Sequence, residues 1–167
     1  TEKAEHRPRP HQQEGDAGRG QGDDRADRQV DAAQDDDQEL PGGQHAGARC
    51  DVTNKAECDA SAALALQRFG RIDVLVNIAG ITSPQRLMEV DAATYERVFD
   101  INMRGTLYMT QAVVPAMRQQ KSGSIVNMSS VAAQRGGGVF GGSHYAASKA
   151  AILGYTKAAA RELGPDN

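Results

Sequence analysis

Ile72-Asp73-Val74-Leu75-Val76-Asn77-Ile78-Ala79-Gly80 is the stretch that decides the fold. Ile72–Val76 is a tight apolar run broken only by Asp73. A short run of this kind reads as a buried strand of a parallel sheet. It ends at Asn77–Gly80, where small side chains let a flat or phosphorylated ligand approach the backbone. Working towards the N-terminus, Ala48–Val52 reads as a short extended piece with Asp51 near its end. Thr53 or Asn54 is placed to cap a helix carrying Ala56, Ala60, Ala63, Leu64 and Leu66, and Gly70 closes it. Towards the C-terminus a long helix is expected over about Asp91–Gln119. Tyr95, Val98, Phe99, Met109, Val113 and Met117 form its buried stripe. Ser124–Met128 is the next strand, and it leads into Ser129 and Ser130. A glycine-rich loop follows, with Gly136–Gly138 and Gly141–Gly142. The last helix starts near Tyr145 and runs to Leu163, stopped by Gly164-Pro165.

Strands alternating with long helices predict an α/β fold: a parallel sheet with helices on both faces. Ligands bind such a sheet beyond the carboxyl ends of its strands. Asp51, Asn77–Gly80 and Ser129–Ser130 occupy those ends.

The first 47 residues follow different rules. They hold 12 acids and 6 bases, a net charge of −6, and Val30 and Leu40 are their only large apolar side chains. Such a composition cannot offset the entropy of ordering it, so a disordered low-complexity polar segment is expected over 1–47. Residues 48–167 carry 13 bases and 10 acids and form the expected domain. Gly18, Gly20 and Gly22 lack a preceding apolar strand, so they do not make a phosphate-binding turn. His6, His11 and His45 lack ligand spacing, so no metal site is expected. Near balance of charge, 19 bases against 22 acids, disfavours nucleic acid as a partner. No apolar run approaches the roughly 20 residues that span a bilayer, so no membrane association is expected. Cys50 and Cys58 are read as free thiols, which suits a reducing compartment and a cytoplasmic location. His144 is read as a loop histidine near solvent.

Tyr145 and Lys149 stand four apart at a helix start and share one face. An ammonium beside a phenol favours the phenolate, which would suit Tyr145 to general acid–base work. Ser130 follows a strand and precedes the loop that returns to Tyr145, so its hydroxyl is placed to bond a substrate oxygen. The plain alternative is a turn serine bonded to backbone. Asn102 lies on the apolar stripe of the long helix, and a buried amide must be hydrogen-bonded. Gly105 just after it marks a place for a kink.

Together these pieces resemble the short-chain dehydrogenase/reductase family over about residues 48–167. The resemblance rests on Cys50-Asp51-Val52, Ile72–Gly80, the Asn102 helix, Ile125-Val126-Asn127-Met128-Ser129-Ser130 and Tyr145-Ala146-Ala147-Ser148-Lys149. It implies a Rossmann-like doubly wound parallel sheet, incomplete in this chain. It implies hydride transfer between NAD or NADP and a small alcohol or carbonyl substrate, without metal. Ser130 would orient the substrate oxygen, with Ser129 the weaker candidate. Tyr145 would exchange its proton. Lys149 would bind the nicotinamide ribose, and Asn102 would hold a relay water. Asp51 and Val52 would flank the adenine, while Asn77, Ala79 and Gly80 would line the cofactor cleft. A homodimer or homotetramer is implied, because the helices of Asn102 and Tyr145 pack between subunits in the family. The alternative is a non-catalytic fragment or an interaction protein that keeps those helices.

The chain departs from that pattern. The expected first strand and glycine-rich turn are missing from residues 1–47, although the length ahead of Asp51 suits them. Right length with wrong residues is the pattern of a segment read in a shifted frame, with the true frame resuming near Ala48. Weak cofactor binding is the expected consequence. The chain also stops at Asn167, ahead of a further strand and a substrate-covering segment. Ile78 stands where the family often has asparagine. A long interval between Ser130 and Tyr145 would reshape the substrate pocket, as for a polyol or sugar-like alcohol.

Overall fold

A computed structural model describes residues 45–138 and 141–166. The expectations for residues 1–44, disorder and frame shift included, lie outside the described residues.

Helix α1 spans Lys55–Phe69. Of the two cap candidates, Asn54 is the one used: its side chain accepts from Ala56 N at 3.0 Å. Gly70 ends the helix in the left-handed conformation, φ 76°, and its N–H donates to Leu66 O. Strand β1, Val74–Asn77, pairs in parallel with β2, Ser124–Asn127, in the register Val74 opposite Ser124. Gln120 fixes the approach to β1: its Nε2 donates to Ile72 O at 2.8 Å, and its Oε1 accepts from Ile72 N at 2.9 Å.

The expected long helix is three segments: α2 over Ala92–Phe99, a π-helical turn over Asp100–Arg104, and α3 over Gly105–Gln120. The wider turn inserts a residue into the 3.6 period. The phase of the stripe is reset there, so that residues before and after the turn face the same interior. Val98, Val113 and Met117 are buried as expected, but Tyr95 is exposed and stacks on Phe99 with centroids 4.5 Å apart.

A short helix α4, Ala132–Arg135, precedes the glycine loop. Helix α5 runs from Ser143, two residues before its expected start, to Leu163. Ala48–Val52 forms no strand among the described residues. It is a turn instead, in which the Asp51 carboxylate accepts from Thr53 N and Oγ1 at 2.9 and 2.8 Å.

The core lies on one face of the sheet. Leu75 packs with Ala62 of α1, Ile72, and Val113 and Met117 of α3. On the same face, Asn77 Nδ2 donates to Asn127 Oδ1 at 2.8 Å, and Asn127 Nδ2 donates to Thr156 Oγ1 of α5 at 3.0 Å. The opposite face is where the expected incompleteness of the doubly wound sheet shows. Among the described residues it is bare, with Val74, Val76 and Val126 about half exposed. The alternation of strands and helices thus gives a Rossmann-like parallel sheet with one covered side.

This asymmetry is measurable by urea unfolding. Leu75→Ala should lower the unfolding free energy by ~2–5 kcal/mol, the usual cost of emptying a buried leucine site. Val76→Thr, on the bare face, should change it by less than about 0.5 kcal/mol. Equal losses would contradict the one-sided core.

Candidate active site

The π turn aims Asn102 into the protein, where it is fully buried. Its Oδ1 accepts from Ile81 N at 2.8 Å. Its Nδ2 donates to Ile81 O at 3.0 Å and to Ser148 Oγ at 2.9 Å. Ser148 Oγ in turn donates to Tyr145 O at 2.8 Å. One amide thus joins the loop after β1 to the first turns of α5. The backbone carbonyl of Asn102 accepts from Thr106 Oγ1 at 2.8 Å.

Lys149 is buried, and its Nζ donates to Met128 O at 2.8 Å. Burial pushes its pKa below the ordinary 10.5. Gly80 sits between the two polar groups: a Cβ there would lie 3.1 Å from Asn102 Oδ1 and 3.2 Å from Lys149 Nζ. Glycine therefore matters at position 80 for close approach rather than for a special backbone angle.

The two serines at the end of β2 have different commitments. Ser129 Oγ donates to Lys149 O at 2.7 Å, which spends its proton on backbone. Ser130 Oγ only accepts, from Ala132 N at 3.2 Å, and keeps its proton for another partner. The Tyr145 ring lies flush against Gly141, where a Cβ would come within 2.3 Å of Tyr145 Cδ1 and 3.0 Å of Thr82 Oγ1. Gly142 N donates to Ser83 O at 3.0 Å, holding the glycine loop against the loop after β1.

Tyr145, Lys149, Ser129, Ser130, Gly80 and Ile78 line one cleft of about 280 Å³. The remaining expected site residues are placed elsewhere. Asn77 turns to the core side and bonds Asn127. Ala79 is exposed beside Gly80 without lining the cleft. The Asp51 carboxyl is held below its usual range, chiefly by the Thr53 backbone N–H and then by its hydroxyl. Val52 packs against Gly105, where a Cβ would sit 2.6 Å from Val52 Cγ2.

Ser148 was legible only as a letter of the motif. Its spacing three residues after Tyr145 is the signal, because a helical serine reaches a carbonyl one turn back. His144 corrects an expectation. It lies in the first turn of α5 and is buried, with neither ring nitrogen hydrogen-bonded. With residues between Leu87 and Glu96 it lines a cavity of about 470 Å³. Among the described residues no group of three or more His, Cys, Asp or Glu side chains could hold a metal ion. No helix there is long and apolar enough to cross a membrane.

The sequence pattern described as short chain dehydrogenase matches residues 22–167. This chain belongs to the short-chain dehydrogenase/reductase family. An uncharacterized short-chain type dehydrogenase/reductase, y4mP of Sinorhizobium fredii, is 49% identical over 125 residues, 75% of this chain and 49% of that protein. The 3-oxoacyl-[acyl-carrier-protein] reductase FabG of Thermotoga maritima is 41% identical over 119 residues, 70% of this chain and 46% of that protein. A crystal structure of a short-chain dehydrogenase/reductase from Burkholderia xenovorans matches with TM-score 0.71 at 33% identity, over 75% of this chain and 49% of that one. An NADH-dependent reductase, A1-R', complexed with NAD, matches with TM-score 0.70 at 36% identity, over 75% and 54%. The chain spans about half the length of the curated relatives it matches.

Burial of Lys149 gives the chain a pH signature. The folded state binds the Lys149 proton less tightly than the unfolded state does. Stability therefore rises with pH from the folded pKa up to 10.5. Urea unfolding should show the native chain gaining on Lys149→Met as pH climbs from neutral towards 10.5. A pH-independent difference would contradict it.

Proposed function

We propose that residues 48–167 carry the catalytic half of an oxidoreductase that moves a hydride between NAD or NADP and a small alcohol or ketone. The observation behind this reading is one cleft lined by Ser130, Tyr145 and Lys149. The Tyr145 hydroxyl has no hydrogen-bond partner among the described residues, and Ser130 keeps its proton.

The nicotinamide end of such a cofactor fits the residues present. Lys149 has one of its three N–H groups on Met128 O, leaving two for ribose hydroxyls. Ile78 and Met128 give the cleft apolar surface for a flat ring. When bound, the cofactor supplies or accepts the hydride. Ser130 donates to the substrate oxygen and fixes it beside Tyr145. Tyr145 gives that oxygen a proton during reduction and takes one during oxidation. Asn102 positions: its N–H groups are spent on Ile81 and Ser148, so it holds Tyr145 through the helix. A relay water would use the remaining lone pair of its Oδ1. Asp51 and Val52 remain proposed as the adenine flank and Asn77, Ala79 and Gly80 as lining for the bound cofactor, Gly80 from within the 280 Å³ cleft and Asn77 and Ala79 from the chain beside it. Relatives named 3-oxoacyl reductases favour a ketone as the substrate. A homodimer or homotetramer in the cytoplasm belongs to the same proposal. Exposed Tyr95 on α2 and Leu153 on α5 are suited to an intersubunit contact.

The domain boundary at 47/48 is proposed with it, and residues 1–47 supply no apolar strand followed by a glycine turn. Calorimetric titration of this 167-residue chain with NADH or NADPH should therefore show affinity weaker than micromolar. A chimera that takes its flanking segments from a relative should bind cofactor and turn over. In that chimera Tyr145→Phe and Ser130→Ala should each lower kcat/KM by ~10²–10⁴-fold, the range for a lost proton-transfer partner. Ser129→Ala should retain most activity. An active Tyr145→Phe chimera would refute the assignment. A chimera that binds cofactor but never turns over would favour the non-catalytic alternative.

A further inference from the structure

Seven residues separate Cys50 from Cys58, and hydrogen bonds fold them into a closed turn. Asn54 N donates to Asp51 O at 2.9 Å, and Cys58 N donates to Asn54 O at 3.1 Å. Asp51 N donates to Glu57 Oε2 at 2.8 Å, binding the residue after Cys50 to the residue before Cys58. Cys58 Sγ donates to Val52 O at 3.5 Å, so the thiol points back to the segment that leaves Cys50. The two cysteines thus sit at the closed ends of one turn. Cys58 is fully buried, while Cys50 is half-buried and reachable from solvent.

We propose that Cys50 and Cys58 are a thiol pair that closes to an intramolecular disulfide when the protein meets a low-molecular-weight disulfide such as oxidised glutathione. Burial first, and then the neighbouring Cys50 thiol, pushes the Cys58 thiol up to about 11. Cys50, the thiol that solvent reaches while Cys58 is buried, is the initiating thiol. Its thiolate attacks one glutathione sulfur; the glutathione S–S bond breaks and one glutathione thiolate leaves, taking up a proton. The Cys58 thiol gives its proton to solvent base and attacks the Cys50 sulfur of the mixed disulfide. The second glutathione thiolate leaves and is protonated in turn. The two cysteines lose two electrons and two protons, and one oxidised glutathione becomes two reduced ones.

The bond would staple the Asp51–Val52 turn to α1. Val52 packs on Gly105, the residue after the π turn that carries Asn102. The modification would therefore fix the turn that flanks the proposed adenine site, although the disulfide itself stands without that reading.

The test uses the reduced 167-residue chain and oxidised glutathione, followed by alkylation, intact mass and peptide mapping. The native chain should lose two hydrogens, join the Cys50 and Cys58 peptides and retain no glutathione. Cys58→Ser should stop with one glutathione on Cys50. Ring closure should be faster in native buffer than in denaturing urea by at least on the order of tenfold, because the fold holds the thiols together. Glutathione retained on Cys50, a bond between two chains, absence of reaction or equal closure rates would each overturn the proposal.

Discussion

The buried amide of Asn102 is the constraint on which the rest of the site depends. An amide fully removed from water must find partners for all its polar atoms. Here it finds them in two pieces of chain that are far apart in sequence, Ile81 and Ser148. Satisfying one side chain therefore fixes the loop after β1 against the first turns of α5. Tyr145 and Lys149 ride on those turns. Their meeting with Ser130 in one cleft follows from that fixation.

The π turn serves the same constraint. An uninterrupted α-helix from Ala92 to Gln120 would keep a single buried stripe. The extra residue at Asp100–Arg104 lets Val98 and Val113 both face inward while Asn102 is aimed between them and α5. Glycines complete the fit by omission of a side chain. Gly80 lets Asn102 and Lys149 approach one strand end, and Gly141 lets the Tyr145 ring lie on the backbone. Lys149 accepts a cost in this arrangement, since burial disfavours its charged form. Its bond to Met128 O offsets part of that cost.

Much of this was legible in the residues. Ile72–Val76 could be read as a strand because its apolar run is short and bounded. Tyr145 and Lys149 could be placed on one face by spacing alone. Other features depend on contacts between distant segments and leave no local trace. Asp91–Gln119 has the composition of one helix, and nothing within it marks the π turn except Gly105. Ser129 and Ser130 are equivalent as letters. Only the position of Lys149 O, 20 residues on, separates them. His144 looks like a loop residue until the fold buries it in the first turn of α5, facing residues between Leu87 and Glu96. Ala48–Val52 has a strand's composition, but a strand needs a neighbour, and β1 and β2 pair only with each other among the described residues.

The central claim is that Asn102 and Ser148 act as one unit. A double-mutant cycle on urea unfolding measures that directly, with Asn102→Ala, Ser148→Ala and the double variant. The account predicts a coupling energy of at least about 1 kcal/mol, because each single change strands the other buried partner. Free energies that add to within ~0.3 kcal/mol would show two independent side chains and would contradict it.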